Sequence, residues 1–150
     1  MRIGFEVSMA DTLTKKQRSA CMSHIRSRGN KATELALAGF FRCNHISGWR
    51  RRQTVFGHPD FVFHNLKLAI FVDGCFWHRC PGHFSLPESN RRFWCRKIEA
   101  NQTRDRLVNR VLRRQGWMVL RIWQHELSLK NKDKLLRRVQ NAMAAAEQAG

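Results

Sequence analysis

The chain has 150 residues, 43% of them hydrophobic, and a formal charge of +17 from 28 Lys and Arg against 11 Asp and Glu. That length suits one domain with a buried core, and the charge calls for a polyanionic partner, nucleic acid before a merely basic or ribosomal role. No run approaches the ~20 apolar residues of a membrane span, Met1–Ser8 is too short for a signal peptide, and five cysteines interleaved with histidines suggest metal ligation in a reducing cytoplasm over disulfides.

In chain order, residues 1–10 are expected to be a flexible tail, since an internal Met9 precedes the first helix signal. Thr14-Lys15-Lys16-Gln17 matches a capping box and opens a short basic helix to about Ser27, with Met22 and Ile25 one turn apart. Gly29-Asn30 stops it, and a second helix runs from about Lys31 to Cys43. Its apolar stripe is Leu37, Phe40 and Phe41, with Glu34 leaning toward the buried side. Ile46 to Val55 reads as an edge strand or loop, Asp60 to His64 as a strand, and Asn65-Leu66 as its turn. Leu68 to Val72 is continuously apolar and so is a central strand covered on both faces.

Pro87-Glu88-Ser89-Asn90 opens a long helix that ends at Gly116, with Trp94, Ile98, Val108 and Leu112 on one stripe. Asn101 and Asp105 interrupt that stripe. Buried polar groups need partners, so Asp105 is expected to bond a histidine or arginine, either of an active site or in a plain internal salt bridge. Trp117 to Trp123 is a further strand, and a last helix, about Lys132 to Ala146, buries Leu135, Val139, Ala142 and Ala146. Strand, helix, strand is a βαβ unit with parallel strands. Cys75 and His125 then follow strand ends on the same sheet edge.

Cys75, Cys80 and His83 lie within nine residues, and His125 can supply the fourth ligand of a Cys2His2 structural zinc site. His78 is the rival fourth ligand. Cys21, Cys43 and Cys95 read as packing residues. Asp60 after Pro59, followed thirteen residues later by Asp73 on a paired strand, is the layout of many Mg2+ nucleases. Cys75 stands where such sites usually carry lysine, so His78 is the candidate base for the attacking water. Phe76 and Trp77 sit between a zinc ligand and that base. They either stack outward into DNA or fold back into the core. Met22 and Ile25 form a second wedge or, more simply, core packing.

At these residues the sequence resembles the very-short-patch-repair (Vsr) DNA mismatch endonucleases from about Asp11 to Leu127. The carriers are Asp11-x-Leu13-Thr14, Arg18-Ser19-x-x-Met22-x-x-Ile25, Glu34, Pro59-Asp60, and Asp73-Gly74-Cys75-Phe76-Trp77-His78. Further along they are Pro87-x-x-Asn90, Phe93-Trp94, Lys97-Ile98, Asn101, Arg104-Asp105, Gly116-Trp117 and Ile122-Trp123. The resemblance implies a single endonuclease domain over residues 11–150. It implies a restriction-endonuclease-like α/β fold, a central mixed sheet flanked by helices, with structural zinc and catalytic Mg2+. It also implies a monomeric bacterial, cytoplasmic enzyme at work on the nucleoid. That enzyme would nick one strand on the 5′ side of the T in a T·G mismatch left by deaminated 5-methylcytosine.

Carried over by resemblance, Asp60 and the Val72 carbonyl hold Mg2+ and His78 is the base. Glu34 and Asp105 support the site, and Phe76, Trp77, Met22 and Ile25 intercalate. Three positions depart from the family pattern: Asp73 stands where some members have His, His125 where others have Cys, and Gln124 where Glu is common. Asp73 would bind metal directly or through water. The alternatives are a zinc-stabilised nucleic-acid binder without catalysis, which would not need Asp60, Asp73 and His78, and an undiscriminating nuclease, which gives no reason for Phe76-Trp77.

Overall fold

Alternation along one strand sets the layers of this molecule, whose computed structural model describes residues 31–150. The tail and the basic helix expected before them, with Cys21, Met22 and Ile25, lie outside the described residues. Helix α1 (Lys31–Cys43) precedes strands β1 (Phe61–Phe63) and β2 (Leu68–Asp73). Helix α2 (Arg91–Arg114), strand β3 (Met118–Trp123), two short 3-10 turns (Gln124–Leu127 and Leu129–Asn131) and helix α3 (Lys132–Ala149) complete it.

The sheet has the order β1-β2-β3. β1 runs antiparallel to β2, and β2 parallel to β3, with Leu68 beside Met118 and Asp73 beside Trp123. The strand expected at Asp60–His64 is three residues long, though the Asp60 N–H still donates to the Ile70 carbonyl at 2.9 Å. Ile46–Val55 is a loop that meets the sheet through one bridge, Arg50 with Val62.

Side chains alternate across a strand, and β2 uses both faces. Leu68 and Ile70 pack in a core with Leu37 and Phe41 of α1 and Leu135 and Val139 of α3. Ala69 and Phe71 face the other way, onto Val108 and Leu112 of α2. Each large apolar side chain fully removed from water contributes roughly 1.5–3 kcal/mol. The two-sided cover explains why β2 reads as an unbroken apolar run. The same alternation turns Asp73 of β2 and Arg121 of β3 toward α2.

Helix α2 begins after Asn90, which holds the left-handed conformation that asparagine tolerates (φ 56). It ends where Gly116 (φ +82) lets the chain turn back, with the Trp117 N–H on the Leu112 carbonyl at 2.9 Å. Trp94, Ile98, Asn101, Val108 and Leu112 are its buried positions. On α3, Leu135, Val139 and Ala146 are buried and Ala142 is only half-buried. Cys43, expected to pack, is instead exposed, because it lies on the last turn of α1 away from the Phe40–Phe41 contact. Cys95 is half-buried. Among the described residues no helix is long and apolar enough to cross a membrane.

The chain reaches Asp60 through Gly57, whose left-handed φ of +78 suits glycine. A Cβ there would stand 2.3 Å from a Val108 methyl. Gly57→Ala therefore meets both a backbone penalty and a packing clash. It should lower unfolding free energy by about 2–4 kcal/mol in urea denaturation, whereas Gly39→Ala, with open space at its Cβ, should not.

Candidate active site and metal centre

Because β2 and β3 are parallel, their C-terminal ends lie side by side, and the loop after each meets the other. Beneath them a small cavity of about 40 Å³ is lined by Asp60, Val72, Asp73, His78, Asp105 and Arg121, among others. β1 delivers Asp60, β2 delivers Val72 and Asp73, the loop after β2 delivers His78, and α2 delivers Asp105.

Asp60 Oδ2 accepts the Val72 N–H at 2.7 Å. Burial pushes the Asp60 carboxyl up to about 6 against that hydrogen bond, and the carboxylates of Glu34 and Asp73 push the same way. Glu34 itself is ion-paired with Arg51, which ties α1 to the loop before β1. Asp73 is 4% exposed, and both of its oxygens accept from Arg121 Nη1, at 2.8 and 3.0 Å. Burial raises its carboxyl above the usual range even so, with His78 and Arg121 pulling the other way.

His78 Nδ1 meets Asp105 Oδ2 at 2.5 Å and stands 3.9 Å from Asp73 Oδ1. Burial disfavours the imidazolium, but the Asp105 hydrogen bond and the two carboxylates outweigh it and hold the pKa above the ordinary value. With Nδ1 committed to Asp105, Nε2 is the nitrogen left to exchange a proton. Asn101, buried on α2, donates to the Trp77 carbonyl at 3.0 Å and so fixes the loop just before His78. The polar interruptions of the α2 stripe thus have partners, as buried polar groups must.

The second cluster joins Cys75, Cys80, His83 and His125, whose donor atoms all lie within 4.8 Å of one another. His125 Nδ1 is 3.3 Å from Cys75 Sγ and 3.6 Å from Cys80 Sγ, and His83 Nδ1 is 3.6 Å from Cys80 Sγ. Tetrahedral ligands about 2.0–2.3 Å from a zinc ion stand roughly 3.3–3.8 Å apart, so this donor set fits that ion. Burial pushes the Cys75 thiol up to about 11, and a bound cation would displace its proton. His125 joins this cluster and His78 does not, which separates the two rival fourth ligands. Glu126 anchors the His125 turn. It accepts the Trp123 N–H at 2.8 Å and pairs with Arg138 of α3, while Asn131 Nδ2 donates to the His125 carbonyl at 3.0 Å.

The aromatics of the loop differ from the outward wedge expected of them. Trp77 is buried and Phe76 half-buried, with the Phe76 ring 5.4 Å from both Trp77 and Trp94. Phe84 stands 5.8 Å from Phe76 on another side. Edge-to-face aromatic contacts are stabilising beyond their area, and Trp94 on α2 offers such a surface where the loop alone would leave the rings in water.

Two residues of the cavity were not singled out from the sequence. Arg121 carried a signal, a lone cation inside the apolar strand Met118–Trp123. His58, exposed at the rim, lies in the Gly57-His58-Pro59-Asp60 string, where only the acid stood out.

The fold and site together define an α/β protein with an acid–histidine centre fit for hydrolysis beside a cluster of four Cys and His donors that could hold a metal ion. The profile described as DNA mismatch endonuclease Vsr matches residues 10–83. The chain is 39% identical over 135 residues to the type II nicking enzyme V.NmeDIP of Neisseria meningitidis serogroup C, covering 89% of this chain and 90% of that one. It is 35% identical over 128 residues to the DNA mismatch endonuclease Vsr of Escherichia coli (strain K12), covering 85% and 80%. The type II nicking enzyme V.NaeI of Lentzea aerocolonigenes is 52% identical over 68 residues, a match that spans 45% of this chain and 41% of that protein. The chain belongs to the Vsr family of DNA mismatch endonucleases. It is thus a DNA endonuclease, a hydrolase of the phosphodiester backbone, and its family implies a divalent metal.

The raised carboxyl of Asp60 has a consequence for stability. A carboxyl whose folded pKa exceeds its unfolded value of 3.8 favours unfolding once pH rises above both. With chelator present, Asp60→Asn should therefore stabilise the protein at pH 7.5, by about 3 kcal/mol from a shift of this size. The gain should fall to roughly half by pH 5. Urea unfolding at the two pH values measures it, and a gain that does not shrink with acid would contradict the burial argument.

Proposed function

We propose that this enzyme nicks one strand of duplex DNA on the 5′ side of the T in a T·G mismatch, the product of 5-methylcytosine deamination, and so opens very short patch repair. It acts as a monomer of restriction-endonuclease-like fold in the bacterial cytoplasm, at the nucleoid. Mg2+ is held by Asp60 and the Val72 carbonyl, and Zn2+ by Cys75, Cys80, His83 and His125. The observation that carries the reading is the His78 Nδ1–Asp105 contact of 2.5 Å in the same cavity as half-buried Asp60.

In this mechanism His78 Nε2 takes the proton of the attacking water, and Asp105 steadies the imidazolium that results. Asp60 lines the same cavity, oriented by the Val72 N–H, and Glu34, whose charge helps raise the Asp60 carboxyl, supports the site from α1. The chemistry that bound Mg2+ supplies is Lewis-acid polarisation of the scissile phosphate and charge neutralisation. Cys75, Cys80, His83 and His125 would hold zinc, which would tie the loop between Cys75 and His83 to the turn after β3. For Phe76 and Trp77 to intercalate beside the mismatch, together with Met22 and Ile25, their rings must leave the Trp94 contact they make in the free protein. A T·G wobble stacks less well than a Watson–Crick pair, so unstacking it costs less and the wedge favours it.

The grip on DNA is electrostatic. On the exposed side of α2, Arg106, Arg110, Arg113 and Arg114 border an open groove, and none has an acidic partner among the described residues. Like charges at i and i+4 cost a helix a few tenths of a kcal/mol, which phosphate contact would more than offset.

End-labelled duplexes carrying T·G, U·G or no mismatch test the reading. With Mg2+, cleavage should fall on the T strand of T·G duplexes. Asp60→Ala should abolish it with DNA affinity nearly unchanged, and His78→Ala should lower it by about 10²–10⁴. Phe76→Ala should erode the preference for T·G more than salt-dependent binding. Equal cutting of matched DNA by the native protein would refute mismatch choice.

Metal analysis tests the second centre. The purified protein should carry about one zinc per chain, lost in His125→Ala and retained in His78→Ala. Folded protein without zinc would remove it from the reading.

A further inference from the structure

The cavity contains a fixed cation of the protein's own, and it is held on every side. Arg121 Nη1 donates to both oxygens of Asp73, at 2.8 and 3.0 Å. Its Nη2 lies 3.5 Å from Asp105 Oδ1, and its Nε donates to Asn109 Oδ1 at 3.0 Å. The guanidinium lies over the Phe71 ring, 4.4 Å from its centroid. The strand register makes this arrangement. Phe71 pairs with Arg121 across β2 and β3, and alternation sends Phe71, Asp73 and Arg121 to the α2 side together.

Asp73, His78 and Asp105 offer three donor atoms within 4.8 Å, the spacing of a metal site. The guanidinium competes for that position. A divalent cation drawn onto Asp73 would sit a few Å from a fixed positive charge in a poorly screened interior, where like charges repel strongly. Asp73 would also have to give up hydrogen bonds that a carboxylate 4% exposed can hardly replace from water. Asp60 has no such cation in hydrogen-bond contact among the described residues. Its carboxylate accepts the Val72 N–H instead.

We propose that Arg121 is a positioning residue that keeps Asp73 out of the metal's coordination shell. Asp60 is then the carboxylate that ligates the catalytic metal. Asp73 and Asp105, bridged by one guanidinium, serve His78 instead: Arg121 takes Asp105 Oδ1 and leaves Oδ2 to orient the imidazole. Arg121 supplies the fixed charge that a lysine two residues past the second acid would have brought, at the position where Cys75 stands. The inference rests on the reading that Asp60 holds the metal.

The test is Mn2+ binding to the zinc-loaded protein without DNA, read as free Mn2+ by electron paramagnetic resonance. Asp60→Asn should weaken binding tenfold or more. Arg121→Met should tighten it at least fivefold by releasing Asp73, a gain that the double variant with Asp73→Asn should remove. Adding Asp73→Asn to Arg121→Met removes the ion pair as a charge-neutral unit, a change that buried pairs often tolerate. It should return the affinity to within about threefold of native. A tenfold loss in that double variant would make Asp73 a metal ligand and overturn the proposal, as would unchanged or weaker binding in Arg121→Met. Should the double variant fail to fold, Asp73→Asn with Arg121→Gln, which can keep an amide–amide hydrogen bond, carries the same comparison. Native affinity in Asp60→Asn would instead refute the Asp60 assignment, and the Arg121 arms would still report on Asp73.

Discussion

The parallel pairing of β2 with β3 is the constraint on which the rest depends. Six residue pairs, from Leu68–Met118 to Asp73–Trp123, bring the two C-terminal strand ends together. An antiparallel pair would have put the Cys75 loop and the His125 turn at opposite ends of the sheet, and neither cluster could form. Parallel strands need a long crossover, and α2 is that crossover. It packs Val108 and Leu112 on the sheet and, on the same face, presents Asp105 and Asn101 to the loop. One topological choice thus places all three kinds of site residue: those at strand ends, those in the loop and those on the helix.

The charge distribution follows a second logic. The molecule carries +17 with only 11 acidic residues, yet Asp60, Asp73 and Asp105 line one cavity and the charge of Glu34 reaches Asp60. Unopposed, four acids this close would repel. Arg51, Arg121 and His78 each neutralise part of the cluster through a direct contact, and Asp60 is left with the least compensation and a carboxyl raised to about 6. Such an under-compensated carboxylate in a basic protein fits the divalent cation that the family implies and that the proposed reading places there. Stability given up at one residue is in this sense the counterpart of affinity for metal and DNA.

Much of this was legible before any coordinates. The unbroken run at Leu68–Val72 identified the central strand, and the βαβ argument alone placed His125 against the Cys75 loop. Asn101 and Asp105 stood out because polar residues on an apolar stripe must find partners, and they do. What escaped was whatever depended on neighbours far apart in sequence. Arg121 makes sense only once register sets it beside Phe71 and Asp73, 48 residues earlier in the chain. Phe76 and Trp77 looked outward because their loop is short and polar around them, and nothing local told that Trp94, on a helix yet to come, would cover them. Cys43 failed for a simpler reason: helical spacing predicts which face a residue joins, not whether the last turn is still covered.

The two clusters are mechanically one unit. Cys75 is two residues after Asp73, and His78 lies between Cys75 and Cys80, so the segment that carries the base begins and ends at thiols of the four-donor cluster. Backbone bonds inside it, Cys80 N–H to the Cys75 carbonyl at 2.9 Å and His78 N–H to the Gly74 carbonyl at 3.2 Å, make it a tight turn with little freedom of its own. A side chain that takes a proton must stand within hydrogen-bond reach of it, about 2.6–3.2 Å between heavy atoms. Loops rarely meet that demand unaided, and here the imidazole is held by Asp105 on its own ring, with Asn101 on the preceding carbonyl. The cluster of soft donors is therefore tied by position to the segment that carries His78.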